Sequence, residues 1–259
     1  MTPPAEAGAI FDDLANDADG HVHEEDVMFI DYLEPAFRDR TDGWARNADR
    51  NRRFIVDATD HPPFPKEISV RKPMTAANRI KVLDKERIRL AVLFPSAALT
   101  AGYMEPAFAQ AIMRAYNSWM AHWCGENPDR LKFAAPVVLY DIDEAIREAQ
   151  RAVVELGAVA VSVRPNPAVG KRLDAPDREP FYVAVEELGV PLIVHESTGD
   201  PATAGGDRYG GMMVPESYLF HHVISHPFEQ MMAMMALICG GVLERHPRLK
   251  VGFFEAGCS

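Results

Sequence analysis

Pro191-Leu192-Ile193-Val194-His195-Glu196-Ser197 is the stretch that decides the fold. Its apolar run is unbroken as far as His195, after which the chain turns polar and glycine-rich. A short apolar run bounded in this way reads as a strand buried on both faces, as in parallel sheets covered by helices. The residue at the C-terminal tip of such a strand faces the edge where these sheets keep their chemistry. His195 taken alone also fits a structural histidine satisfied by a neighbour, so its meaning depends on what else reaches that edge.

Outward from this stretch the same unit recurs. Leu90–Pro95, Phe133–Leu139, Val159–Arg164 and Leu249–Glu255 read as further strands. Thr75–Lys85, Glu105–Cys124, Ile142–Leu156, Phe181–Leu188 and Phe228–Glu244 read as helices, two of them closed by Gly157 and Gly189. Strands alternating with helices across connections of this length imply an α/β fold with parallel crossovers. Neither Gly-x-Gly-x-x-Gly nor a P-loop follows any strand, which speaks against a nucleotide-binding version. Trp119 and Trp123 read as core and His122 as surface, while Met231, Met232, Met234 and Met235 read as adaptable packing residues. Residues 1–18 form an acidic, alanine-rich lead-in with a short helix at Ala9–Ala15, and Val27–Phe37 looks helical. Residues 38–73 hold no sustained period and read as an insertion loop of the lid or binding type, with His61 given no role. A second polar loop runs from Glu196 to Phe220.

The 259 residues, 47% hydrophobic and 25% charged, suit one large domain with a substantial core. A net charge of −11 argues against a nucleic-acid partner, which would require clustered Lys and Arg. No apolar run reaches the ~18 residues of a membrane span, and the first residues lack the pattern of a signal peptide. Cys124, Cys239 and Cys258 are odd in number and far apart, so a reducing, cytoplasmic compartment is expected.

Chemistry gathers at strand ends. If Asp19-Gly20-His21-Val22-His23 is extended, the period of two puts His21 and His23 on one face with Asp19 in line behind them. Two imidazoles converging in this way begin a metal site, although the same residues also suit a solvated acidic turn. Arg164, His195 and Glu255 end later strands, and in a (β/α) barrel all of these ends converge on one site. His226, beside Pro227, sits at an apparent helix start, where it either shapes the pocket or faces solvent.

Four blocks carry a family resemblance: Asp19-Gly20-His21-Val22-His23, Asn127-Pro128-Asp129-Arg130-Leu131, Val190-Pro191-Leu192-Ile193-Val194-His195, and Gly240 through Val251 (Gly-Gly-Val-Leu-Glu-Arg-His-Pro-Arg-Leu-Lys-Val). With them the chain resembles the amidohydrolase-related family, in the branch of aminocarboxymuconate-semialdehyde and γ-resorcylate decarboxylases. The resemblance implies a (β/α)8 TIM barrel over residues 19–259, with His21, His23 and His195 holding one divalent metal, usually zinc and in some members manganese. Glu24 is the alternative to His23. The resemblance also implies a small-molecule substrate and, by family habit, a homodimer.

Two departures shape the functional expectation. Where the decarboxylases end the strand after Leu-Lys-Val in a histidine, this chain has Glu255, an anion that would repel a carboxylated substrate. That tilts the reading toward hydrolysis of a small carboxylated or cyclic substrate, in which Glu255 or the family's final aspartate takes a proton from a metal-bound water, Arg164 either holds a carboxylate or sits in a structural ion pair, and His226 donates. Non-oxidative decarboxylation in the same site is the alternative, and an inactive binding or assembly piece the third reading. The second departure is that the family's final aspartate ligand has no counterpart after the sixth strand. An incomplete barrel, part of a longer chain, is therefore expected.

Overall fold

The computed structural model describes residues 14–24, 28–40, 75–96, 98–165, 170–195 and 218–257. Most of the expected helix at Ala9–Ala15, the insertion loop from residue 41 onward with His61, and residues 196–217 of the second polar loop lie outside them. Six strands form one sheet: β1 (Ala15–Val22), β2 (Ile88–Pro95), β3 (Leu131–Pro136), β4 (Ala160–Val163), β5 (Leu192–His195) and β6 (Val251–Phe254). All are parallel and pair in sequence order. The crossovers carry α1 (Ala76–Lys85), α2 (Pro106–Gly125), α3 (Ile142–Gln150), α4 (Glu179–Leu188) and α5 (Tyr218–Cys239). The sheet curls until the tip of β1 meets those of β5 and β6, giving an incomplete (β/α) barrel.

Local chemistry sets the helix ends. The Thr75 hydroxyl accepts from the Asn78 amide at 3.2 Å and the Asp141 carboxylate from the Glu144 amide at 3.0 Å, each occupying a donor the first turn leaves orphaned. Glu105 caps α2 by accepting from the amides of Ala107 and Phe108, with Pro106 at its first position. Gly189, in the left-handed region at φ 71°, closes α4.

Two-residue alternation sorts each strand between two environments. Phe94, Ala134, Ala160 and Ile193 face inward and pack together with Val92 and Phe254. Leu93, Phe133 and Ala135 face outward into a cluster that includes Trp119 and Trp123, while Val161, Val163, Leu192 and Val194 face a second outer cluster. His122 is exposed, as expected.

Three expectations need correction. Val27–Phe37 is not one helix but a π turn at Met28–Tyr32 and a 3-10 helix at Pro35–Arg40, because Pro35 lacks the N–H a continuing helix needs. The last helix runs straight through Pro227 from Tyr218, and it stops at Cys239 rather than Glu244. A side chain on Gly240 would lie 2.2 Å from the Ala236 carbonyl oxygen, and Gly241 is left-handed, so the chain breaks there before a short turn at Val242–Arg245. Finally, Met231, Met232, Met234 and Met235 are not buried packing residues among the described residues: they are 40–63% exposed, while His226, Glu229, Gln230, Ala233 and Leu237 take the inner face. No described helix is long and apolar enough to cross a membrane.

Candidate metal centre

The centre begins with an irregularity in β1. Between Asp17 and Gly20 the register with β2 shifts: Asp17 pairs with Ala91 and Gly20 with Leu93, three steps against two. The Asp17 carboxylate accepts the Asp19 amide at 3.1 Å and pairs with Arg79 of α1 at 3.3 Å, so Asp17 points outward. A Cβ on Gly20 would lie 2.7 Å from both Arg79 Nη2 and Asp17 Oδ2. The bulge thus reverses the phase of the strand and aims Asp19 and His21 at the interior.

His21 donates from Nδ1 to the Pro95 carbonyl at 2.8 Å, because a carbonyl can only accept. That bond leaves Nε2 as the lone-pair nitrogen, and it is buried without a hydrogen-bond partner. Burial, and then the charge of His195, lower the His21 pKa, favouring the neutral imidazole that ligates metals.

His195, at the tip of β5, is fully buried. Its ring stacks on Phe94 at 4.9 Å between centroids and meets the edge of His21 at 5.0 Å, and its Nε2 is 3.1 Å from Asp19 Oδ1. His21 Nε2 is 3.9 Å from the same oxygen. Among the described residues Asp19, His21 and His195 form the group able to hold a metal ion, their ligand atoms all within 4.8 Å of one another. Ligands at about 2.1 Å from one tetrahedral ion stand roughly 3.4 Å apart, so two imidazoles and a carboxylate at these separations fit.

Glu255 follows β6 with φ 52°, a left-handed conformation rare outside glycine and often found where a side chain is aimed at a site. Its carboxylate reaches His21 Nε2 at 3.9 Å and His226 Nε2 at 3.3 Å. Burial pushes this carboxyl up, but the hydrogen bond from His226 and the charges of His195 and His21 outweigh it and hold the pKa at about 2. Glu255 is therefore an anion matched in place by imidazoles.

Among the other expected site residues, His226 joins this edge through Glu255 and is buried, not a solvent-facing helix start. Arg164, just past β4, donates from Nη1 to the Leu99 carbonyl at 3.1 Å. His23 follows the end of β1 and is not in the metal-holding group. Glu24 is fully buried, and its Oε1 accepts the amides of Ser96 (3.1 Å) and Ala98 (2.8 Å), tying the segment after β1 to the segment after β2.

Two contributors escaped the sequence reading as functional residues. Asp19 was placed behind the histidines rather than among the ligands. Gln230 donates from Nε2 to the carbonyls of Val194 at 3.0 Å and Phe254 at 2.7 Å, the residues before His195 and Glu255. Its only signal in the sequence is the spacing of His226, Glu229 and Gln230, which puts three polar side chains on one helical face.

A curled parallel sheet with imidazoles and carboxylates gathered at the C-terminal strand ends defines the class: an incomplete (β/α) barrel with a group able to hold a metal ion at that edge. The chain belongs to the amidohydrolase family, whose model (Amidohydro_2, "Amidohydrolase") matches residues 18–259. It is 28% identical over 181 residues to the 2-amino-3-carboxymuconate-6-semialdehyde decarboxylase of Dictyostelium discoideum, covering 70% of this chain and 47% of that protein. Against the gamma-resorcylate decarboxylase of Rhodococcus jostii it is 27% identical, covering 67% of this chain and 53% of that one. The chain thus spans about half the length of the curated relatives it matches. The fold is similar to that of 5-carboxyvanillate decarboxylase from Novosphingobium aromaticivorans, complexed with manganese and 4-hydroxy-3-methoxy-5-nitrobenzoic acid, at a TM-score of 0.67, 19% identity, and 98% of this chain and 68% of that one covered.

These relatives overturn the expectation of hydrolysis. It rested on Glu255 repelling a carboxylated substrate, yet the matched relatives are decarboxylases, and here the Glu255 charge is already paired with His226 and faces His21.

Proposed function

We propose that this chain carries the metal-binding part of a non-oxidative carboxy-lyase acting on a small aromatic or muconate-type carboxylate. The observation that carries the reading is the Asp19–His21–His195 group with its unpartnered, buried Nε2, in a chain whose curated relatives are decarboxylases. The proposed ligands of one divalent ion are His21 and His195. Asp19 is the third donor favoured by distance, and His23 the one favoured by the period of the strand; zinc and manganese both suit such a set. When bound, the ion supplies a Lewis acid that polarises substrate oxygens.

The chain's own residues do the rest. Glu255, its charge paired with His226 at 3.3 Å, holds that imidazole at the edge where the substrate carboxylate would sit. His226 donates the proton required by the carbon left behind, its ring oriented by Glu255 Oε2, 3.3 Å from Nε2. Arg164 orients the substrate through its fork of N–H donors. A homodimer and a reducing, cytoplasmic compartment complete the proposal, the latter consistent with the free thiols of buried Cys124 and exposed Cys239.

The test is carbon dioxide release from hydroxybenzoates and muconate-type acids, measured with and without chelator. Chelator-sensitive release is expected; ester or lactone hydrolysis without carbon dioxide would overturn the reading. Metal analysis of three variants assigns the ligands. His195→Ala is expected to lose the ion, and loss in Asp19→Asn but not His23→Ala would make Asp19 the third donor, with the reverse result making it His23.

A further inference from the structure

Glu24 and His21 grip one peptide group from opposite sides. The Ser96 N–H, which donates to Glu24 Oε1 at 3.1 Å, and the Pro95 C=O, which accepts from His21 Nδ1 at 2.8 Å, are the two ends of a single planar unit. Turning that plane to suit one contact breaks the other. The same Glu24 oxygen also accepts the Ala98 amide at 2.8 Å, so the carboxylate fixes the chain on the far side of the peptide as well. Phe94, the residue before Pro95, stacks on His195 at 4.9 Å, and this strand end therefore serves both imidazoles.

Among the described residues the Pro95–Ser96 peptide has few other restraints. Pairing of β2 with β3 stops at Leu93, whereas pairing with β1 continues to Pro95, which leaves the last two residues of β2 with a strand on one side. Further on, the 3-10 helix Ala98–Tyr103 is anchored separately: Arg164 donates to the Leu99 carbonyl at 3.1 Å, and the Tyr140 hydroxyl donates to the Gly102 carbonyl. Those anchors hold the segment in place but leave the tilt of the Pro95–Ser96 plane to Glu24.

We propose that Glu24 is a positioning residue for the metal centre: it fixes the peptide whose carbonyl keeps the proton of His21 on Nδ1, and so keeps Nε2 as the ligating nitrogen. In a neutral imidazole, the hydrogen bond made by one nitrogen decides the state of the other. The competing pull is close at hand, because Asp19 and Glu255 each place a carboxylate oxygen 3.9 Å from Nε2 and would draw the proton there once the Pro95 carbonyl turned away. By polarising the peptide that it binds, Glu24 also strengthens the carbonyl as an acceptor, which makes Nε2 the more basic. The step from tautomer to ion rests on His21 being a ligand, as proposed above; the step from Glu24 to tautomer does not.

Two variants separate reach from charge. Glu24→Gln keeps the side-chain length and an acceptor oxygen without the charge, whereas Glu24→Asp keeps the charge and falls short by one methylene. Long-range proton–nitrogen NMR spectra of the metal-free chain at about pH 8, above the ordinary imidazole range, read the His21 tautomer, with its signals assigned by their loss in His21→Gln. Wild type and Glu24→Gln should show the Nδ1–H form, and Glu24→Asp a mixture with the Nε2–H form. Zinc titrated against a chromophoric chelator should bind Glu24→Gln within about threefold of wild type and Glu24→Asp at least ~10-fold more weakly, the size of effect an outer partner of a ligand exerts. A merely structural role would lower the melting temperature of Glu24→Asp and leave its tautomer unchanged, which would overturn the proposal. So would an Nε2–H His21 in wild type, loss of the Nδ1–H form in Glu24→Gln, or weaker zinc binding by Glu24→Gln than by Glu24→Asp, which would mark Glu24 as a ligand. The wild-type and glutamine spectra decide the matter even if the aspartate variant does not fold. Zinc binding absent from wild type would count against the metal centre of the carboxy-lyase reading, while the tautomer spectra would still decide whether Glu24 holds the ring.

Discussion

Gln230 ties α5 to the tips of both β5 and β6, and replacing it gives a calculable loss. Gln230→Leu removes donations to Val194 O at 3.0 Å and Phe254 O at 2.7 Å, each worth about 1 kcal/mol net. It also removes Oε1, a buried acceptor with no partner among the described residues, which returns part of that loss. The balance is a destabilisation of about 1–2 kcal/mol, or a Tm lower by roughly 3–6 °C for a domain of this size. Gln230→Glu keeps the shape but turns a donor into an oxygen facing two carbonyl oxygens, so it should melt lower than the leucine variant. Calorimetric melting of chelated protein isolates this effect from metal binding. A leucine variant melting at or above wild type, or a glutamate variant no worse than the leucine one, would refute the claim that this amide holds the two strand tips.

Two further outcomes follow from the titrating groups. Because Glu255 sits at about 2 when folded against an ordinary 4.5, its contribution to stability is present above pH 4.5 and lost as pH falls toward 2. In urea titrations of metal-free protein, Glu255→Gln should therefore flatten that acid limb, and an unchanged limb would refute the pairing with His226 and His21. Burial raises the Cys124 thiol to about 12, so in native protein at pH 8 iodoacetamide should label the exposed Cys239 and spare Cys124, as read by peptide mass mapping.

The fold was legible wherever burial on both faces wrote itself into composition. Leu192-Ile193-Val194 could only be an inner strand, and with it came His195 at a tip; Glu255 was legible in the same way from Val251–Phe254. What could not be read was set by partners distant in the chain. The bulge that aims Asp19 inward is decided by pairing with Ala91 and Leu93 and by Arg79 on α1, and nothing within Asp17–His21 announces it. Without the bulge, simple alternation makes His23 the natural companion of His21. Helix α5 misled for a different reason. Pro227 looks like a first-turn residue, and a run of methionines looks like core, because the sequence carries no mark of which half of the helix meets the sheet.

Among the described residues every strand pairs with its neighbour in sequence, so this sheet can grow one crossover at a time, in the order the chain leaves the ribosome. The contact between His195 and Asp19 obeys no such order, since it joins residues 176 positions apart and exists only once the whole sheet has curled. An ion held there, as proposed, would fasten distant parts of an otherwise locally assembled structure, much as a clasp closes a bracelet, and its binding energy would become folding energy for everything between. In refolding experiments, uptake of the metal should accordingly trail the appearance of strand and helix signals, with simultaneous appearance counting against a late closure.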